Sequence, residues 1–131
     1  MIEALKVLHV HGPMAAKGYV SVSCSGGEAG LVSDAAIASS LSFPEVPPST
    51  EARLAGLLGP MVTISNPMDY HTFIWGDTAL MADVFTAAAD GFEASLFVID
   101  QPNPTRCDVA SFEPAFAAMM EARTRLGRPV F

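Results

Sequence analysis

A short run of Val and Ser, YVSVSC at 19–24, gives way at Ser25-Gly26-Gly27 to apolar residues at helical spacing: Ala29, Leu31, Val32, Ala35 and Ala36. A buried strand turning there into a helix would present free backbone N–H groups and the positive end of the helix dipole to an anion. Glycines at the join would let the backbone turn sharply and approach a ligand closely. Ser25, Gly26 and Gly27 are therefore candidate ligands for a phosphate or carboxylate. With Glu28 the same residues also read as a capping box, the Ser25 hydroxyl accepting from the Glu28 amide and the Glu28 carboxylate reaching back to the Ser25 amide. In that case Glu28 itself supplies part of the negative charge.

Other polar residues gather in loops that follow apolar runs. Asn66-Pro67-Met68-Asp69, with Tyr70 and His71 behind it, follows MVTIS at 61–65; Asp100, Gln101 and Asn103 follow ASLFVI at 94–99. Asx side chains and Pro also close local turns, so this loop has a structural explanation beside the functional one. Set among aromatics in YHTFIW, His71 is a hydrogen-bonding loop residue before it is a catalytic base. His9 and His11 lack further ligands nearby for a metal. Cys24 and Cys107 have neither metal-ligand spacing nor the pattern of a disulfide framework, and Cys24 reads as a small buried residue.

The elements that must position these residues alternate. Residues 19–24, 61–65 and 94–99 read as strands, 127–131 as the start of a fourth, and helices are predicted over 51–58 (capped by Thr50), 77–89 and 111–126. Leu80, Met81, Val84, Phe85 and Ala88 form the apolar face of one helix, and Phe112, Phe116, Met119 and Met120 that of the last. This is the order of an α/β, three-layer, flavodoxin-like parallel sheet flanked by helices. Its right-handed crossovers should bring Gly26, Gly27, Asn66 and Asp69 into one cleft at the carboxyl edge. Residues 1–16 read as the tail of a preceding module or a linker, with an apolar stripe of Ile2, Leu5 and Leu8, and 17–131 as the domain. A final strand so short reads as that of a domain truncated at its C-terminus, part of a larger polypeptide.

Composition narrows the function. The chain has 131 residues, half of them apolar, enough for one domain with a core. A formal net charge of −7, without a Lys/Arg cluster, argues against nucleic acid as a partner. No apolar run reaches the roughly 20 residues that span a bilayer, and the first residues lack the layout of a signal peptide. A cytoplasmic protein without membrane contact is expected.

Taken in order, GYVSVSCSGGEAGLVSDAA, FPEVPPSTEARLAGLLGP, ISNPMDYHTFIWGD and LFVIDQPNPTRCD resemble a flavodoxin-like ligase domain of the NDP-forming acyl-CoA synthetases, relatives of succinyl-CoA synthetase. The resemblance implies a succinyl-CoA ligase-like fold and a ligase that joins a small carboxylic acid to CoA at the expense of ATP, with Mg, through an acyl phosphate and a phosphohistidine. It implies partner modules: a CoA-binding domain, a first ligase domain and an ATP-grasp domain. Ser25, Gly26 and Gly27 match the helix start that helps hold the phosphohistidine phosphate, and Asn66, Pro67 and Asp69 the supporting loop beside it, with His71 close behind. The segment carrying the phosphorylated histidine is absent, and none of His9, His11 or His71 matches that residue. The chain alone is expected to bind no cofactor and form no acyl-CoA. The alternative is a non-catalytic binding or assembly module that keeps the fold without phosphate contact. A side chain plugging the turn at Ser25–Glu28 would favour this alternative.

Overall fold

All five residues of Tyr19–Ser23 are buried, and this strand, β1, is the middle of the sheet. The computed structural model describes residues 1–14 and 18–131, so the domain boundary expected between 16 and 17 lies outside the described residues. Along one side of β1 runs β3 (Ala94–Val98), in register from Tyr19 opposite Ala94 to Ser23 opposite Val98. On the other side lies β2 (Met68–Asp69), Met68 opposite Val22 and Asp69 opposite Ser23. Both pairings are parallel, and the order β2-β1-β3 is that of a flavodoxin-like sheet. Val130 bridges Ser95 in parallel on the far side of β3, where a fourth strand was expected.

Alternation along β1 sends Val20 and Val22 to one face and Tyr19, Ser21 and Ser23 to the other. The first face carries the main core. Val20 and Val22 cluster there with Leu54 and Leu58 of α3 (Pro48–Leu58), with Met81, Val84 and Phe85 of α4 (Thr78–Ala89), and with Ala115, Ala118 and Ala122 of α5 (Glu113–Leu126). Helix α4 starts where Asp77 Oδ1 accepts from Leu80 N at 2.9 Å, and it is buried on nearly every side because it lies between α3 and α5. Helix α5 stops at Gly127, whose φ of 61° is readily adopted by glycine and whose N–H donates to Arg123 O. The other face is covered by α1 (Ile2–His11) and α2 (Gly26–Ile37), neither of which has a buried residue.

Four expectations are corrected. Helix α5 turns Ala115, Ala118 and Ala122 inward and leaves Phe116 and Met119 only half-buried and Met120 exposed, with Phe112 half-buried just before it, because small side chains let two helix backbones approach closely. Helix α3 begins at Pro48, a residue suited to a first helical turn, so Thr50 is not its cap; the Thr50 hydroxyl donates to Asp90 O at 3.3 Å. On α2 the expected apolar face is not buried: Leu31 is exposed and Ala29, Val32 and Ala36 are half-buried.

The fourth correction concerns the second strand. Residues 61–65 form no strand; Val62 and Ile64 pack on the core, and the pairing with β1 starts only at Met68. The side chain of Asn66 takes their place in the ladder. Its Oδ1 accepts from Ser21 N at 3.1 Å and its Nδ2 donates to Tyr19 O at 2.7 Å, the two peptide groups that a parallel strand residue opposite Val20 would engage. The same Nδ2 donates to Pro44 O at 2.9 Å. Ser42 O accepts from Tyr19 N on one side of this contact, and Tyr70 N donates to Ser23 O on the other. Ser42, Asn66 and Met68 thus satisfy the edge of β1 piece by piece. Asn66→Ala is expected to lower unfolding free energy by about 3 kcal/mol, since it leaves buried peptide groups unpaired. Asn66→Asp, of the same size but without the donors, should lose nearly as much in denaturant melts; an unchanged midpoint for both would show that the amide has no structural role.

Candidate functional site at the start of helix α2

Ser25 has extended backbone (φ −145°, ψ 144°) and is the N-cap of α2, its Oγ accepting from Glu28 N at 3.3 Å. This is half of the expected capping box. The other half differs: the Glu28 carboxylate accepts from the Ser25 hydroxyl at 3.2 Å and from Cys24 Sγ at 3.6 Å, both through Oε2. Glu28 therefore folds its charge over the mouth of the helix, where an incoming anion would sit. Gly26 and Gly27 are exposed and helical, and neither has a positive φ. A Cβ on Gly26 would lie 3.6 Å from Asp69 Oδ2, and one on Gly27 would lie 3.9 Å from Ser25 Oγ, both ordinary contacts. The sharp turn that glycines would allow is not used here, because the chain is already helical at both positions.

Asp69 is brought to the same mouth because β2 pairs it opposite Ser23, next to the exit of β1. Its Oδ1 accepts from His71 N at 2.8 Å, and its Oδ2 lies 3.8 Å from His71 Nδ1. His71 has φ 63° and ψ 156°, a backbone region outside the left-handed helical well and ordinarily left to glycine, and its ring stacks on Phe73 at 5.9 Å. Ser25, Gly26, Gly27, Asp69 and His71 thus form one contiguous surface. Asn66 does not join it. Its amide pairs with β1 opposite Val20, three residues and about 10 Å upstream of Ser23 at the spacing of an extended strand, so the cleft expected to contain both Asn66 and Gly27 is corrected.

The remaining loop residues have local duties. Tyr70 is buried, its hydroxyl accepting from Trp75 Nε1 at 3.1 Å and its ring edge-on to Phe85, and burial pushes its phenol well above the usual range. Asn103 Oδ1 accepts from the Thr105 amide at 2.9 Å and hydroxyl at 2.8 Å, closing its own loop; Asp100 and Gln101 are exposed. Among the described residues no group of three or more His, Cys, Asp or Glu is placed to hold a metal ion. No described helix is long and apolar enough to cross a membrane.

Cys24 brings a thiol to the edge of the mouth, and its surroundings keep it protonated. Burial first, then the Glu28 charge and hydrogen bond and the more distant Asp69, push its pKa up to about 11. Sequence alone placed Cys24 in the strand but could not show its contact with Glu28, four residues on, because that contact depends on Ser25 ending the strand. The sequence matches no protein-family model and no curated protein. Glu28→Gln is expected to lower the Cys24 pKa while leaving it above an ordinary cysteine, since burial is the larger cause. The check is the rate of thiol alkylation from pH 8 to 11 in a background of Cys107→Ser; a pH profile identical to that of the parent would mean that Glu28 does not act on Cys24.

Proposed function

We propose that this chain is a non-catalytic binding or assembly module with a flavodoxin-like fold, in which its own carboxylate takes the place of a bound phosphate. The observation that carries this is the Glu28 carboxylate folded back on Ser25 Oγ and Cys24 Sγ at the start of α2. Magnitudes favour it. An exposed helix N-terminus attracts an anion by about 0.3–1 kcal/mol. A unit charge about 5 Å from a second like charge is repelled by roughly 1–3 kcal/mol at an effective dielectric between about 80 and 20. With Glu28 over the mouth and Asp69 beside Gly26, repulsion exceeds the attraction of the dipole. The thiol at Cys24, held protonated, adds no nucleophile.

A second reading follows the resemblance to the NDP-forming acyl-CoA synthetases and their succinyl-CoA ligase-like domains, which the β2-β1-β3 order and the exposed Gly26-Gly27 helix start support. In it Ser25, Gly26 and Gly27 help to hold a phosphohistidine phosphate supplied by another module, Glu28 swings aside, and ATP, Mg, CoA and the carboxylic acid bind on partner modules. The two readings separate in a phosphate titration followed through the backbone amide resonances of Gly26, Gly27 and Glu28. The first expects no saturable shift up to tens of millimolar phosphate in the parent chain, and a detectable one in Glu28→Gln if the plug is what excludes the ion. Saturation of the parent at submillimolar phosphate would overturn the first reading in favour of the second.

A further inference from the structure

The C-terminal ends of α1 and α5 come together beside residues 127–131, and two adjoining hollows open there. One, of about 420 Å³, is walled by Val10, His11, Arg123, Gly127, Arg128 and Pro129. The other, of about 240 Å³, shares Val10, His11 and Arg123 and adds Lys6, Val7, Val130 and Phe131. No Asp or Glu lines either hollow, in a chain with 14 acidic residues against 7 Lys and Arg.

Arg123 is common to both hollows. It is half-buried, and among the described residues its side chain makes no hydrogen bond or ion pair. The neighbouring basic side chains are engaged: Lys6 pairs with Glu3 at 2.8 Å, Arg125 with Asp83 at 2.7 Å and Glu121 at 3.0 Å, and Arg128 donates to Phe92 O at 2.7 Å. A half-buried guanidinium gives up part of its hydration, and an acceptor that meets its N–H groups offsets that cost. The helix ends do not supply enough negative charge for this. Each C-terminus carries about half a unit, against a full charge on each of Arg123 and Arg128. With Lys6 balanced by Glu3, the cleft is left positive.

We propose that this cleft binds a small organic oxyanion, a carboxylate or phosphate group carrying an apolar substituent, with Arg123 as its principal ligand. The head group follows from the guanidiniums, whose forked N–H groups match two oxygens of one acid group. The substituent follows from the walls: Val7, Val10, Val130 and Phe131 give the smaller hollow an apolar lining next to Arg123. Phe131 O does not fill the site, since it accepts from Phe97 N at 2.9 Å. A net charge of −7 opposes a large polyanion, whereas a small one feels chiefly the local cations, because salt screens the more distant carboxylates.

This site is separate from the start of α2 and independent of what that turn holds. The test is titration of the full chain with benzoate, phenyl phosphate and inorganic phosphate, followed through the Arg123 Nε–H resonance and the amides of His11 and Arg128. Benzoate or phenyl phosphate is expected to shift these signals saturably while Gly26 and Gly27 stay in place, and the tighter of the two identifies the acid group. Arg123→Gln should weaken that binding about tenfold or more, as loss of a hydrogen bond to a charged group implies. It should keep the parent's melting temperature, because the guanidinium has no partner among the described residues. Arg128→Gln should weaken binding less, and Arg106→Gln, at an exposed position outside the cleft, should leave it unchanged. Absence of a saturable shift with both organic acids, or binding untouched by both cleft substitutions, would overturn the proposal. Inorganic phosphate binding as tightly as phenyl phosphate would overturn the part assigned to the apolar walls.

Discussion

The amide of Asn66 is the contact on which the placement of the site depends. A central strand has peptide groups on both sides, and each buried one must find a partner. On the β3 side they meet a complete strand; on the other they meet Ser42, then the Asn66 side chain, then β2. An asparagine side chain can do this because it is itself an amide, with one acceptor and two donors, and here both donors reach a carbonyl, Tyr19 O and Pro44 O. By fixing 66 beside Val20, it sets where 68 and 69 fall on β1. Asp69 arrives opposite Ser23 and so beside Gly26. The polar residue named as a site candidate from its motif is therefore a building element of the sheet, and the carboxylate at the helix mouth is its consequence.

The sheet then divides the protein into two unequal halves. Behind Val20 and Val22, α4 is enclosed by α3 and α5, and Phe85 stacks edge-on to both Tyr70 and Phe97 at about 5 Å. Such packing gives most of the hydrophobic stabilisation, because area removed from water and close contact add together there. In front, α1 and α2 shield Tyr19, Ser21 and Ser23 without burying any residue of their own. Stability must be distributed in the same way: the front helices can open locally at lower free energy than the core behind.

Much of the architecture was legible in the sequence because it rests on local pattern. The strand-helix alternation, β1, β3, the start of α4 after Asp77 and the end of α5 at Gly127 follow from apolar periodicity and end residues. What was not legible depends on competition between segments. MVTIS at 61–65 has the composition of a strand, yet the edge of β1 that it would occupy is filled by Ser42 and by the Asn66 amide, and no propensity reports a side chain acting as a strand. The rotation of α5 was missed for a related reason: Phe116 and Met119 have larger transfer energies than alanine, but helix-helix distance decides the inner face, and Ala115, Ala118 and Ala122 permit a closer approach.

The residues at the α2 start mark a place for negative charge, and by type alone they fit either a ligand or Glu28 as its occupant. The difficulty is general, because a helix N-terminus that attracts an anion also attracts any carboxylate within the first turn, and the two compete for one field. Distance decides in favour of the residue already attached. Glu28 needs only a rotamer to reach Ser25 Oγ, whereas a free phosphate must give up its hydration and translational freedom to displace it. Asp69, held by the His71 amide, tilts the balance further without touching α2 by a hydrogen bond. The thiol of Cys24 records the result: its proton stays where burial first, and then Glu28 and the more distant Asp69, make a negative sulfur unfavourable. A strand-to-helix turn can thus carry the residue types of a phosphate seat and be electrostatically complete without one.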